Sequence, residues 1–118
     1  MTKNEIFRKN FTLTQRINEY IKIKEKYNKI PIIICDLNIY SKELVKHKWL
    51  LEPKYKIHHL YIKLREYIKL QPYESVFLFL DGYNVIPHID TQINDLYNRY
   101  KSEDGFLYLV FSKENTFG

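Results

Sequence analysis

Hydrophobic positions along the chain fall into short unbroken runs and into stripes that recur every three or four residues. Three runs read as strands: Ile30-Pro-Ile-Ile-Ile-Cys35, Val76-Phe-Leu-Phe-Leu80 and Phe106-Leu-Tyr-Leu-Val-Phe111. Each is too short for a helix and rich in β-branched or aromatic side chains, and the last predicts a strand buried on both faces in mid-sheet. Pro31 suits a strand entry, where a missing N–H costs no ladder bond. Lys46-His-Lys-Trp-Leu-Leu51 is different, because lysines at 46 and 48 interrupt it, as in an edge strand protected against stray pairing. Glu52-Pro53 ends it.

The stripes predict helices. Thr2-Lys-Asn-Glu5 has capping-box spacing and opens a short helix to about Lys9. Thr12-Leu-Thr-Gln15 repeats the signal, and behind it Leu13, Ile17, Tyr20, Ile21, Lys24 and Tyr27 share a face, with Ile23 at its rim and Glu19 off it. Ile57, Leu60, Tyr61, Leu64 and Ile68 form a second amphipathic helix that Pro72 terminates. Asp90 caps a last helix bearing Ile93, Leu96, Tyr97 and Tyr100. Asp36–Glu43 reads as loop, Asp81-Gly82 as a turn, Val85–Pro87 as a short extended piece and Ser102–Gly105 as the approach to the final strand.

The order is therefore helix, helix, strand, strand, helix, strand, helix, strand. A sheet with its two most apolar strands, the first and the last, side by side must pair them in parallel, with a helix crossing one face. That predicts an α+β fold, the ubiquitin-like β-grasp with a mixed four-stranded sheet and two extra N-terminal helices. The expected division is an N-terminal helical extension over 1–28, a β-grasp core over 29–112 and a flexible tail over 113–118 that ends on Gly118.

Composition adds limits. A chain of 118 residues makes one domain, and its single cysteine, Cys35, rules out an internal disulfide and fits a reducing compartment. No run of 18 apolar residues occurs and the N-terminus lacks the apolar core of a signal peptide, so the expectation is a soluble cytosolic protein. Residues 1–69 carry 16 Lys and Arg against 7 Asp and Glu, whereas residues 70–118 carry 3 against 7. The basic half suggests an acidic partner. Ile, Lys, Asn and Tyr supply 50 residues, a bias that AT-rich codons produce, which weakens the case for stacking on bases.

Nothing in the chain spells an active site. Cys35, His47, His58, His59 and His88 lack zinc-ligand spacing, so no metal and no cofactor is expected. Cys35 lies inside a β-branched run, where a thiol behaves as a small hydrophobe. Three glycines, at 82, 105 and 118, cannot build a phosphate-cradling loop. The edge strand carries more information: such a strand accepts a peptide as an added strand. Lys46 and Lys48 would select acidic flanks, and Trp49, Leu50 and Leu51 would either wall pockets beside the peptide or pack on the helices.

Taken together, these stretches resemble the autophagy ubiquitin-like modifiers, the family of GABARAP and the microtubule-associated-protein light chains. The resemblance runs from about Leu13 to Gly118 and is carried by Glu103-Asp-Gly-Phe-Leu-Tyr108 and Glu114-Asn-Thr-Phe-Gly118. Lys46-x-Lys-Trp-Leu50, Ile30-Pro-Ile-Ile-Ile34 and Val76-Phe-Leu-Phe-Leu80 support it. It implies a protein that is not an enzyme but a conjugated modifier. The C-terminal glycine, Gly118 here, is adenylated, passed as a thioester between activating and conjugating enzymes, and joined to phosphatidylethanolamine. Lacking a Cβ, its carbonyl can enter a narrow channel and be attacked from either side. A cysteine protease removes residues beyond that glycine in family precursors and also releases the lipid. The implied location is the cytoplasm, and the autophagosomal membrane after lipidation.

The resemblance further implies that the edge strand docks aromatic-x-x-aliphatic peptides of cargo receptors. The aromatic pocket corresponds to Glu19, Ile23, Pro31, Lys48, Leu50 and Phe106, which gives Glu19 and Ile23 a role that helical periodicity left open. The aliphatic pocket corresponds to Trp49, Leu51, Glu52, Tyr55, Leu60 and Lys63. Here the chain departs from the family, which has Pro, Leu and Leu in place of Glu52, Tyr55 and Lys63, and Arg or Lys in place of Tyr67. Phe77 and Phe79 match a family surface for a helical motif, or else belong to the core. Two other readings remain: a ubiquitin-fold peptide-binding module that is never conjugated, and a basic nucleic-acid binder. The acidic second half speaks against the latter, so no nucleic-acid partner is expected.

Overall fold

A computed structural model describes residues 8–37, 47–83 and 85–115. Its elements are α1 (Leu13–Tyr27), β1 (Ile30–Asp36), β2 (Lys48–Leu51), α2 (Ile57–Ile68), β3 (Glu74–Leu80), α3 (Ile93–Tyr100) and β4 (Leu107–Asn115). Residues 8–10 are also helical. The rest of the first predicted helix lies outside the described residues, as do Lys46, most of the predicted loop after β1, and Gly118.

The four strands form one sheet in the order β2-β1-β4-β3. The two apolar runs do occupy its centre: β1 and β4 pair in parallel, from Ile32 opposite Leu107 to Asp36 opposite Phe111. β2 and β3 flank them antiparallel. This is the ubiquitin-like α+β arrangement that the strand order predicts.

Strand alternation then divides the side chains between two layers. Ile30, Ile32 and Ile34 of β1, with Leu107, Leu109 and Phe111 of β4, face α2 and α3 and form the main core with Ile57, Leu60, Leu64, Ile93 and Leu96. On the opposite face Ile33, Phe106 and Tyr108 make a smaller cluster against Tyr20 and Ile23 of α1. Cys35 is buried within β1.

Helix α1 starts where the sequence places it. Thr12 Oγ1 accepts the Gln15 N–H at 3.1 Å and Gln15 Oε1 accepts the Thr12 N–H at 2.8 Å, a complete capping box. The face it turns to the sheet is only half the predicted stripe: Ile17, Tyr20 and Lys24 lie on it. Leu13, Ile21 and Tyr27 are exposed, while Arg16, Ile17, Tyr20, Ile23 and Lys24 are half-buried. A specific pairing of Arg16 and Tyr20 with the turn before β4 rotates the helix away from the Leu13, Ile21 and Tyr27 side of that stripe. A second correction concerns α3. Its N-cap is Gln92 and not Asp90, whose N–H is instead turned back to His88 Nδ1 at 3.1 Å.

Candidate functional site

β2 stands at one edge of the sheet, and its register fixes which backbone groups face outward. The Ile34 N–H donates to His47 O at 2.8 Å. Counting by twos down the ladder, Ile32–Trp49 and Ile30–Leu51 are the hydrogen-bonded pairs. Pro31, which has no N–H to give, stands opposite Leu50 in a non-bonded pair. The N–H and C=O of Lys48 and Leu50 consequently point away from β1, out of the sheet. The other edge is different in kind. There the Leu78 N–H donates to Tyr61 Oη at 2.9 Å, and Glu74 O accepts from Arg65 Nη1 at 3.1 Å, so side chains of α2 cover β3.

Along β2 the side chains alternate between the two layers. Lys48 and Leu50 lie on the α1 side, beside Pro31. Lys48 Nζ reaches Glu19 Oε1 at 2.6 Å, and both side chains are nearly half exposed. An ion pair in that setting contributes at most about 1 kcal/mol. Ile23 packs on the Ile33–Phe106–Tyr108 cluster. Phe106 is buried beneath it, edge-on to Tyr20 at 6.2 Å and to Tyr108 at 6.3 Å. Of the expected aromatic-pocket residues, Pro31 and Leu50 are register partners, Glu19 and Lys48 are ion-paired, and Ile23 packs on the cluster that holds the buried Phe106.

The α2 side is more closed. Trp49, Leu51 and Leu60 belong to the main core, and Leu60 is fully buried. These three pack on the helices; they do not wall an open pocket. Glu52, Tyr55, Lys63 and Tyr67, where the resemblance leads one to expect other residues, lie on this side. The Tyr67 ring meets Trp49 edge-on at 5.5 Å. Lys63 Nζ lies 5.4 Å from the Tyr55 ring centroid, and Glu52 Oε1 lies 3.7 Å from Lys29 Nζ. Phe77, exposed, and Phe79, half-buried, sit on β3 at the far edge, on the face opposite Val76, Leu78 and Leu80. They belong neither to the main core nor to the β2 surface.

Periodicity gave no sign of what holds α1 in place. Asp104, fully buried, accepts Arg16 Nη1 at 2.7 Å, the Phe106 N–H at 2.9 Å and the Tyr108 hydroxyl. Burial, the largest single effect, would lower the Arg16 pKa; the hydrogen bonds and charge interactions with Asp104 and Tyr108 together outweigh it and the net shift is upward. Burial, reinforced by the bond to Asp104, pushes the Tyr108 phenol up to about 12. Beside this trio the Tyr97 hydroxyl donates to Gly105 O at 2.7 Å and shares a hydrogen bond with Tyr20 Oη at 3.1 Å. Burial first, then Tyr20, raises the Tyr97 pKa strongly. The sequence signal was Asp104-Gly105 itself, which reads as an ordinary turn until its partners are seen.

The central strand β4 runs on as strand through Asn115. Among the described residues no three His, Cys, Asp or Glu side chains are placed to hold a metal ion, and no helix is long and apolar enough to cross a membrane.

Comparison with known proteins then bears on this arrangement. Residues 15–118 match the family model described as autophagy protein Atg8, ubiquitin like. Autophagy-related protein 8 of Schizosaccharomyces pombe is 33% identical over 114 residues, covering 95% of this chain and 93% of that one. Autophagy-related protein 8h of Arabidopsis thaliana is also 33% identical over 114 residues, covering 95% of this chain and 94% of its own. The crystal structure of Trypanosoma brucei ATG8 superposes with a TM-score of 0.79 at 27% identity, covering 95% of this chain and 97% of that one. Plasmodium falciparum Atg8, solved with a Plasmodium falciparum Atg3 peptide, gives a TM-score of 0.75 at 28% identity, covering 90% and 94%.

Proposed function

The chain belongs to the Atg8 family of ubiquitin-like autophagy proteins, and on that premise we propose that it is a modifier joined through Gly118 to phosphatidylethanolamine, which recruits cargo receptors by accepting aromatic-x-x-aliphatic peptides along β2. The observation that carries the docking half is the asymmetry of the sheet edges. β3 is covered by α2, whereas β2 directs the Lys48 and Leu50 backbone outward, so an added strand has its ladder partners there. Glu19, Ile23, Pro31, Lys48, Leu50 and Phe106 take the aromatic anchor. Trp49, Leu51, Glu52, Tyr55, Leu60 and Lys63 flank the aliphatic one, with the core residues Trp49, Leu51 and Leu60 acting from behind. Lys46 adds positive charge for an acidic flank, and Phe77 with Phe79 offers a separate contact at the far edge.

The conjugation half follows from the family and from β4. β4, paired with β1 as far as Phe111 and with β3 as far as Asn115, is a rigid base beyond the helical extension over 1–28 and the core over 29–112, and the tail expected over 113–118 is still strand as far as Asn115. Activating and conjugating enzymes are the partners this chemistry requires, with a cysteine protease for processing and delipidation. The Plasmodium falciparum relative bound to an Atg3 peptide supports the conjugating-enzyme partnership. In this reading the protein is not itself an enzyme, and it divides its time between the cytoplasm and the autophagosomal membrane.

The test has two arms. Incubation with the activating and conjugating enzymes, ATP and phosphatidylethanolamine liposomes should give a lipidated product that Gly118→Ala cannot form; no product from the unaltered chain would leave a peptide-binding module only. Titration with an acidic aromatic-x-x-leucine peptide should shift the amides of residues 48–51, and shifts confined elsewhere would remove β2 as the docking site.

A further inference from the structure

We propose that the β2 docking surface is proton-gated: neutral His59 caps α2 and holds the aliphatic side of the surface in its peptide-binding shape, and protonating it loosens that side and weakens docking. The inference rests on the reading that β2 takes peptides, and it names how that site is regulated.

A helix starts with backbone N–H groups that its own turns cannot satisfy. In α2 each has an identifiable acceptor. Ile57 N–H goes to Thr91 O at 2.9 Å, His58 N–H to Ile89 O at 3.0 Å and His59 N–H to Lys56 O at 3.0 Å. The remaining one, the N–H of the N-cap residue Lys56, goes to Nδ1 of His59 at 2.9 Å. Lys56 cannot return the favour, because its side chain has donors only. The cap thus depends on an imidazole nitrogen that carries no proton.

Protonation makes both ring nitrogens donors. It would set N–H against N–H across 2.9 Å and break the cap. The charged surroundings do not relieve this. On α2 and the turn before it stand His58, whose ring centroid is 4.0 Å from that of His59, together with Lys56 and Lys63. The loop that supplies the Ile89 and Thr91 carbonyls contributes His88 and Asp90, both strongly exposed to solvent, where the Asp90 charge is screened. From α3, Asp95 lines a cleft with Lys56. The first turn of α2 has no acidic residue, and the helix dipole adds positive potential at this end.

The cap is linked to the docking surface through Tyr55. Its ring lies 5.1 Å from that of His59 on one side and takes Lys63 Nζ on the other. Opening the cap withdraws the support of Tyr55 and loosens the turn that leads into Leu60.

The experiment measures binding of a histidine-free acidic aromatic-x-x-leucine peptide to the whole chain at about pH 7.5 and about pH 5.5. It compares the unaltered protein with His58→Gln and His59→Gln, and follows Lys56 amide exchange and the His59 ring nitrogens by NMR. Glutamine at 59 keeps an acceptor that does not titrate. The proposal expects affinity to fall about fivefold or more on acidification in the unaltered chain and in His58→Gln, with faster Lys56 exchange, and to stay level in His59→Gln. An equal fall in His59→Gln, or level affinity in the unaltered chain, overturns the gate and leaves peptide docking standing. A chain that binds the peptide at neither pH overturns docking and the gate together.

Discussion

Gly105→Ala should be among the most damaging single-methyl changes in this protein, through one distant side chain. Gly105 has φ +93°, where an L-residue is strained by about 1 kcal/mol. Its added Cβ would stand 2.4, 2.5 and 2.7 Å from Cδ1, Cγ and Cδ2 of Tyr20, well inside contact distance. The Tyr20 ring must therefore leave. With it go the hydrogen bond to Tyr97, worth about 1 kcal/mol, and the edge contact with Phe106, worth about another 1 kcal/mol. The total comes to about 3 kcal/mol, a large fraction of a small domain's stability. Denaturant unfolding of four proteins checks the cause: the unaltered chain, Gly105→Ala, Tyr20→Ala and the double variant. Once Tyr20 is gone the clash is gone, so Gly105→Ala should then cost only about 1 kcal/mol, a coupling of about 2 kcal/mol. Effects that add to within about 0.5 kcal/mol would refute the argument and leave backbone strain as the whole explanation.

Other outcomes follow from the same geometry. Leu50→Pro removes an N–H that points out of the sheet, so peptide affinity should drop while denaturant stability changes little; Leu51→Pro removes a ladder bond and should cost about 3 kcal/mol or more. Leu60→Ala, at a fully buried site, should cost about 2–5 kcal/mol by thermal or chemical unfolding, so any loss of binding there reports folding. Arg16→Met leaves the buried Asp104 without its cation and should destabilise by about 3 kcal/mol, measured in the same way. The raised Tyr108 pKa means that neutral phenol is favoured in the folded state. Its contribution is complete below about pH 10 and lost as pH rises to about 12, so alkaline unfolding by circular dichroism should move to higher pH in Tyr108→Phe.

The sequence by itself determined the elements and the order of the sheet. Ile30–Cys35 and Phe106–Phe111 are so uniformly apolar that only central strands bury them, and the lysine at 48 marks an edge. Repeats of two and of three to four residues report local structure and little else. The tertiary structure decided everything that depends on a distant partner. Arg16 meets Asp104 across 88 residues, and with Tyr20 over Gly105 it rotates α1 away from the Leu13, Ile21 and Tyr27 side of its stripe and brings Ile23 to Phe106. Trp49, Leu51 and Leu60 could be assigned to core or pocket only once α2 and α3 were seen packed on them, and only the packing of α2 shows that Tyr61 and Arg65 reach the backbone of the β3 edge. Which polar groups find partners, and which are left facing outward, is settled by packing between segments that no local pattern connects.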